Sequence, residues 1–249
     1  MDAARRNQYL DAIGIDVWVP RAGGVVDVPR AVAEAAPTNG MLATAPVAPA
    51  VVPTVEPLDA DAAARWEALR SQVLTCTKCA LHSTRTQGVF GVGSRTGDWL
   101  VIGEAPGAEE DRRGEPFVGR AGQLLDAMLK AIGLSRETNV YIANVLKSRP
   151  PGNRDPKPEE VAACLPYLLG QIRLLQPRVI LAVGRIAAQN LLATDTPLGK
   201  LRGKIHHFGE LNTPLIVTYH PAYLLRTPSD KRKAWEDLKF ARGVFRQLM

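Results

Sequence analysis

Residues 99–107 read Trp-Leu-Val-Ile-Gly-Glu-Ala-Pro-Gly, and a polar stretch follows them as far as Arg120. A short apolar run, a glycine-rich turn and a later amphipathic stretch predict a strand, a loop and a helix. In an open α/β sheet such a turn lies at the carboxyl end of a strand, which is where ligands bind. The turn at Gly103 is therefore the first candidate for a functional site.

Apolar runs and helical patterns alternate along the rest of the chain. Strands are predicted at 99–102, 140–143, 179–183 and 215–219. Helices are predicted at 121–132, 159–175, 186–192 and 231–248, with an earlier one that Asp59 or Asp61 caps and that ends near Leu74. This alternation predicts an α/β fold with a central four-stranded, mainly parallel sheet, right-handed crossovers and helices on both faces.

In a parallel sheet, the loops that follow the strands share one edge. Those loops contain Glu104, Phe117, Asn144 and His220. We expect one pocket to collect these four side chains.

Composition divides the chain into three parts. Residues 1–30 hold a short amphipathic element, which we interpret as a docking peptide. Residues 31–58 form a predicted flexible linker, since Ala, Val and Pro make up 17 of the 26 residues from Val32 to Pro57. The ordered domain is predicted at 59–249, a length that can bury a sizeable core.

Charge and cysteine content narrow the classes of protein. The net charge is +6, and the predicted C-terminal helix is basic, which favours a polyanionic partner. No apolar run is long enough to span a bilayer and no signal peptide is recognisable, so we expect a cytoplasmic protein without membrane contact. Three cysteines argue against a disulfide framework and for metal binding or burial. No dinucleotide fingerprint or P-loop lysine follows the turn, so no nucleotide cofactor is expected.

Four segments resemble family 4 uracil-DNA glycosylases, the bacterial and archaeal type that carries an iron-sulfur cluster. They are residues 103–107, 116–122, 144–155 and 220–225, within a resemblance that covers roughly residues 70–235. The resemblance implies a three-layer αβα uracil-DNA-glycosylase-like fold. It also implies a monomeric, monofunctional enzyme that flips deoxyuridine out of DNA, hydrolyses its N-glycosidic bond and so initiates base excision repair.

The same resemblance assigns roles to individual residues. Phe117 stacks on the extruded ring, Asn144 reads the edge of uracil, and His220 donates a hydrogen bond to uracil O2. Cytosine presents the reverse pattern to Asn144 and would leave buried polar groups unpaired. The predicted substrate-binding set is Glu104, Ala105, Pro106, Phe117, Asn144 and His220, of which Glu104, Asn144 and His220 are the predicted catalytic residues.

DNA contacts are predicted in the last part of the chain. Leu224, together with Leu225, is expected to fill the gap that the flipped base leaves. Arg226, Lys231 and Arg232 are expected to bind phosphates.

Ala105 occupies the position at which better-known uracil glycosylases carry a catalytic aspartate, and family 4 shares this absence. The acidic role then falls to Glu104, to Glu110, or to substrate and water positioned by Asn144 and His220. We favour Glu104 because it is adjacent to the vacant position.

The cysteines depart from the family pattern. Family 4 binds a four-iron four-sulfur cluster through four cysteines, whereas this chain supplies Cys76, Cys79 and Cys164, with Ser148 at the remaining position. Three alternatives are open: a cluster with serinate or water on the fourth iron, a zinc site completed by His82 or Ser148, or no metal. The surrounding residues favour the cluster, with a lower stability toward oxygen and a structural role.

Two other functions remain as alternatives. One is a non-catalytic DNA-binding or polymerase-associated module on the same scaffold, with the N-terminal element contacting a replication or repair protein. The other is a small-molecule nucleotide-binding fold, which the acidic run at 109–111 disfavours.

Overall fold

A six-stranded mixed sheet forms the centre of residues 60–209 and 211–249, the part of the chain that the computed structural model describes. The strands are β1 (Val92–Gly93), β2 (Trp99–Gly103), β3 (Val140–Asn144), β4 (Val179–Val183), β5 (His206–Phe208) and β6 (Thr213–Thr218). Their spatial order is β1-β3-β2-β4-β6-β5. The segments predicted at 1–30 and 31–58, as well as Asp59, lie outside the described residues.

The four central strands confirm the predicted parallel sheet. β3, β2, β4 and β6 are mutually parallel, whereas β1 pairs with β3 and β5 pairs with β6 in antiparallel fashion. These two edge strands were not predicted from the sequence. They are two and three residues long, which is too short for an alternating pattern to be recognised.

Helices cover both faces of this sheet. They are α1 (Ala60–Leu74), α2 (Ala108–Arg113), α3 (Arg120–Ala131), α4 (Pro158–Leu175), α5 (Arg185–Leu191), α6 (Leu198–Leu201), α7 (Pro221–Arg226) and α8 (Lys231–Gln247). The five predicted helices end within two residues of their expected bounds. Three further helices, α2, α6 and α7, were not predicted from the sequence and have at most six residues each.

Alternate residues of each central strand enter two separate cores. In β2, Leu100 and Ile102 pack with α1 and α4, whereas Trp99 and Val101 pack with α3 and α8. All five residues of β2 are buried, as they are in β3 and β4. Strands buried on both faces read as continuous apolar runs, which is why the sequence marked them clearly.

Helix α4 begins at a well-defined point and thereby fixes the loop in front of it. Pro158 occupies the first turn, and the Glu160 carboxylate accepts a hydrogen bond from the Lys157 amide at 2.8 Å. The same carboxylate forms a two-point ion pair with Arg154, at 2.9 and 2.6 Å. The loop that follows β3 is therefore held at both its backbone and its side chains.

Within the described residues, no helix is both long and apolar enough to cross a membrane.

Candidate active site

A cavity of about 410 Å³ opens at the carboxyl edge of the parallel strands. Gly103 at the end of β2 pairs in register with Asn144 at the end of β3, and His220 follows the last residue of β6 by two positions. The structure brings the six predicted substrate-binding residues into the lining of this one cavity: Glu104, Ala105, Pro106, Phe117, Asn144 and His220.

Gly103 allows two of these side chains to meet. A Cβ atom at this position would lie 2.4 Å from Asn144 Oδ1 and 2.6 Å from Phe117 Cζ. Both distances are far below van der Waals contact, so only glycine fits without displacing the amide or the ring. Gly103 thus has a packing role that could not be predicted from its place in a glycine-rich turn.

Phe117 is held in a strained conformation that directs its ring into the cavity. Its φ angle is +54°, in the left-handed region that is unfavourable for an aromatic residue. Its carbonyl oxygen accepts a hydrogen bond from Arg136 at 3.1 Å, and Gly122 packs directly against that carbonyl. Backbone strain of this kind persists only where the surroundings impose it, and it is concentrated at binding sites.

Asn144 carries a buried acceptor without a partner. The residue is 2% exposed, and its Oδ1 has no hydrogen-bond partner among the described residues. Buried polar atoms are almost always paired, so this oxygen points to a ligand that completes the site.

His220 is neutral, and its tautomer follows from its contacts. Its Nδ1 accepts a hydrogen bond from the Ala222 amide at 3.1 Å, at the start of α7. Burial, with a smaller contribution from Arg226, lowers the pKa of His220 to about 4. In the neutral ring Nε2 therefore carries the proton and is the available donor. The ring lies 5.6 Å from that of Phe117, tilted by 30°.

Glu104 is the carboxyl group of the cavity whose pKa is strongly displaced. Burial raises the pKa of Glu104 from 4.5 to about 7; Asp155 raises it further and Arg185 lowers it. A carboxyl group that titrates near neutrality can act as a general base or hold a developing cation. Asp155 and Arg185 were not predicted as site residues from the sequence.

Glu110 performs a different task. One of its oxygens accepts a hydrogen bond from the Gly107 amide at 3.1 Å, and the other accepts from the Val118 and Gly119 amides at 3.0 and 3.2 Å. Its carboxylate therefore joins the Gly103 turn to the Phe117 loop. Of the alternatives for the acidic role, the geometry favours Glu104 over Glu110.

The structure corrects one predicted DNA contact. Leu224, on α7, is 1% exposed and packs inside the protein, so it cannot reach DNA in this conformation. Its neighbour Leu225 is 37% exposed. On a six-residue helix, adjacent side chains point in different directions, and sequence alone could not decide which leucine faces outward.

Arg226 is the last residue of this helix, and Lys231 and Arg232 begin the following α8. Arg226 is exposed and also lines the cavity. Arg232 is exposed and Lys231 is half-buried at the start of α8. Lys233 nearby forms an ion pair with Asp230 at 2.8 Å.

The three cysteines gather between α1 and α4. Cys164 is buried, and its sulfur accepts a hydrogen bond from the Lys147 amide at 3.5 Å. The Tyr167 hydroxyl donates to the Cys76 sulfur at 3.2 Å. Burial raises the pKa of the Cys164 thiol, and the charges of Cys79 and Cys76 raise it further. The three thiols therefore share one electrostatic environment.

Ser148 is already engaged at this site. It is 4% exposed, and its Oγ accepts a hydrogen bond from the Arg85 guanidinium at 2.7 Å. Arg85 also donates to the carbonyl oxygens of Val73, Leu74 and Cys76. This guanidinium therefore joins the end of α1 to the segment that follows β3.

The described residues contain no preformed site for a single metal ion such as zinc. Within residues 60–209 and 211–249, no group of three or more His, Cys, Asp or Glu side chains is arranged to hold a metal ion. A tetrahedral zinc ion with Zn–S bonds of about 2.3 Å would bring its ligands within roughly 4 Å of one another. His82, its proposed fourth ligand, places Nδ1 2.7 Å from the Cys79 carbonyl oxygen. For an iron-sulfur cluster, which four cysteine thiolates usually hold, the described residues offer the three thiols of Cys76, Cys79 and Cys164.

Comparison with known proteins defines the class to which this fold and cavity belong. Residues 90–239 match the uracil DNA glycosylase superfamily. The chain is 45% identical over 174 residues to the type-4 uracil-DNA glycosylase of Archaeoglobus fulgidus, which covers 68% of this chain and 87% of that relative. It is 43% identical to those of Pyrobaculum aerophilum, over 72% of this chain and 95% of the relative, and of Thermotoga maritima, over 73% and 95%. The chain belongs to the type-4 uracil-DNA glycosylase family.

Proposed function

We propose that this protein is a monofunctional uracil-DNA glycosylase, which hydrolyses the N-glycosidic bond of flipped-out deoxyuridine and so initiates base excision repair. The observation that carries the proposal is the unpaired, buried Asn144 Oδ1, which crowds against Gly103 together with the Phe117 ring. A buried acceptor without a partner costs about 1–3 kcal/mol, which a matching ligand recovers. The names of the relatives support the same activity.

Uracil satisfies the polar groups of the cavity. Its N3–H donates to Asn144 Oδ1 and its O4 accepts from the Asn144 amide nitrogen, whereas cytosine offers the reverse arrangement. Phe117 stacks on the ring, a contact typically worth roughly 1–3 kcal/mol for an extruded base. This recovers the few kcal/mol that base flipping costs.

His220 stabilises the leaving base. The hydrogen bond from Ala222 to Nδ1 fixes the tautomer, so Nε2–H donates to uracil O2. Negative charge grows on O2 as the glycosidic bond breaks. A preorganised donor at such an atom typically contributes a few kcal/mol.

Glu104 acts on the sugar side of the bond. In its ionised form it stabilises the cationic sugar and accepts a proton from the attacking water. Its pKa of about 7 leaves a large ionised fraction at neutral pH. Ala105 lacks a polar group and cannot perform either step.

The DNA strand is held at the rim of the cavity. Arg226, Lys231 and Arg232 bind phosphates, which supports affinity without reading sequence. Leu225 is exposed and fills the gap left by the flipped nucleotide.

Cys76, Cys79 and Cys164 hold an iron-sulfur cluster of the four-iron four-sulfur type. The donor set supports this, since three thiols share one site and two of them accept hydrogen bonds from an amide or a hydroxyl, as cluster sulfurs commonly do. When bound, the cluster supplies a structural link between the end of α1 and α4. Absorption spectroscopy and iron and zinc analysis of anaerobically purified protein test this: iron with a brown colour is expected, and a colourless zinc protein would contradict it.

The N-terminal element binds a replication or repair protein. The support is compositional, because residues 31–58 separate an amphipathic segment from the catalytic domain. Deleting residues 1–58 should leave uracil release from short oligonucleotides unchanged while abolishing capture of that partner.

The decisive experiment measures base release and DNA binding on the same substrate. An oligonucleotide with a single deoxyuridine should yield free uracil and an abasic site that breaks only on alkaline treatment. The matching cytosine oligonucleotide should stay intact. Binding to the uracil strand without release of uracil would instead identify a non-catalytic DNA-binding or polymerase-associated module.

A further inference from the structure

An ion pair bridges the two loops on either side of Glu104. Asp155 lies in the loop after β3 and Arg185 begins α5 directly after β4, and their side chains meet at 2.5 Å. β2, whose last residue precedes Glu104, lies between β3 and β4 in the sheet. The pair therefore spans the strand that carries the proposed catalytic carboxylate.

The backbone around Asp155 is fixed. Arg154 donates to the Asp155 carbonyl oxygen at 3.0 Å while its guanidinium is bound to Glu160, which is 2% exposed at the start of α4. Arg185 is in turn supported by Gln189, one helical turn later, at 3.3 Å. Arg185 thus lies on α5, and the Asp155 backbone is linked through Arg154 to α4.

Asp155 and Glu104 line the same cavity. Two carboxyl groups that share one cavity disfavour simultaneous ionisation, and a cation on one of them moderates the effect. We propose that Asp155, held by Arg185, is a positioning residue that modulates the protonation of Glu104. This inference rests on the proposed function, in which ionised Glu104 acts at the glycosidic bond.

The cavity holds other titratable and charged side chains besides Glu104 and Asp155. They are Glu110, Arg154, His220, Tyr223 and Arg226. The hydrogen bond from Tyr223 to Asp230 raises the pKa of the Tyr223 hydroxyl. Glu110 is committed to three backbone amides and Arg154 to Glu160, and His220 is neutral above about pH 4. Arginine does not titrate in proteins. The two charged residues to substitute are therefore Asp155, which raises the pKa of Glu104, and Arg185, which lowers it.

Opposite substitutions should consequently move the pH profile in opposite directions. In Asp155→Asn a negative charge is lost, so Glu104 ionises more readily and the acidic limb of the rate profile moves to lower pH. In Arg185→Gln the moderating cation is lost, so the limb moves to higher pH. Both side chains are more than half exposed, so the shifts are expected to be roughly 0.5 pH unit, a threefold change in relative rate on the limb.

The experiment is single-turnover uracil release between pH 5 and 9 at saturating enzyme and low ionic strength, where screening is weak. The double variant should lie near the wild-type profile. Glu67→Gln is the matched control, because Glu67 on α1 forms a comparably exposed ion pair with Arg95 and neither residue lines the cavity. Carbon-13 labelling of glutamate, with Glu104→Gln for assignment, reports the protonation of Glu104 independently of activity.

Opposite shifts of the limb and of the labelled carboxyl resonance support the inference. Shifts in the same direction, or slower release with unmoved profiles, overturn it and reduce the ion pair to a structural role. Failure of the wild-type protein to release uracil would overturn the proposed function instead, so the two failures are distinguishable.

Discussion

Asn144 and Ser148 stand four residues apart, and both are almost completely buried, yet their polar atoms differ. The Asn144 Oδ1 has no partner among the described residues, whereas the Ser148 Oγ accepts a hydrogen bond from Arg85. The first atom belongs to a cavity that is completed by a ligand. The second already accepts a hydrogen bond from a guanidinium. The cavity therefore presents an unpaired polar atom to a ligand, whereas the Ser148 oxygen has a protein partner.

The most damaging single substitution on the cavity side should be Gly103→Ala. The added methyl group would displace both Asn144 Oδ1 and the Phe117 ring, which lie 2.4 and 2.6 Å from its position. Misplacement of reacting groups by about 1 Å can cost 10²-fold, and an unmatched amide costs a further factor of ten, so kcat/KM should fall about 10³-fold. Steady-state uracil release measures this loss.

Gly199→Ala is the control for this change. A Cβ at Gly199 meets nothing within 4 Å, so this variant should retain the wild-type rate. Circular dichroism should show both variants folded. Full activity in Gly103→Ala would mean that the cavity is not preorganised.

A smaller loss is expected for His220→Ala. The variant removes the Nε2–H donor and leaves the Ala222 amide without its acceptor. Loss of one preorganised donor typically lowers kcat about 10²-fold, with a smaller effect on DNA affinity. Rapid-quench measurement of bond cleavage separates the two effects, and an unchanged cleavage rate would remove His220 from the proposed mechanism.

The cysteine side can be tested with two substitutions of the same residue. Since the Ser148 Oγ accepts a hydrogen bond from Arg85, we expect it not to be a ligand of iron. Ser148→Ala should therefore leave the iron content of the protein unchanged. Ser148→Cys supplies a thiolate, the usual ligand for such clusters, and should slow the loss of iron in air severalfold. Iron analysis and visible absorption over time measure both, and a marked loss of iron in Ser148→Ala would show that the serine is a ligand.

These sites differ in how well the sequence predicted them. Glu104, Asn144 and His220 each lie at or just after the end of a buried parallel strand. Such strands end at one edge, so the convergence of these residues could be expected from the order of apolar runs alone. Ser148 was recognised only as a departure from a family pattern. Its pairing with Arg85 joins positions 63 residues apart, and no local pattern predicts such a contact.

The proposed effect of Asp155 and Arg185 on the protonation of Glu104 could not be predicted from the sequence, for a related reason. Asp155 ends a segment that resembles the family and Arg185 lies in a loop expected at the same edge, but their ion pair depends on the side-chain positions of two separate loops. The exposure of Leu225 rather than Leu224 depends on the rotation of a six-residue helix, which capping and periodicity cannot fix at that length. Topology was predictable, whereas side-chain partners between loops were not.

The smallest expected effect is on the stability of the folded protein, which the buried carboxyl group of Glu104 lowers at alkaline pH. Folding raises the pKa of Glu104 from 4.5 to about 7, so the folded state binds this proton more tightly than the unfolded chain does. The resulting contribution to stability is complete below pH 4.5 and is lost as the pH rises through 7. At pH 8 the buried carboxylate is therefore destabilising, and Glu104→Gln should be more stable than wild type by about 1–2 kcal/mol, after allowance for the partial exposure of the side chain.

Calorimetric unfolding at two pH values checks the sign of this effect. At pH 8 the melting temperature of Glu104→Gln should exceed that of wild type by roughly 2–8 °C, as expected for a domain of this size. At pH 4 the two proteins should melt together, because Glu104 is then protonated in both states. Glu67→Gln, which removes an exposed carboxylate, should show no such gain at pH 8. An equal difference at both pH values would show that the effect comes from packing and not from the ionisation of Glu104. The cavity would then no longer differ from the Ser148 site in giving up stability for activity.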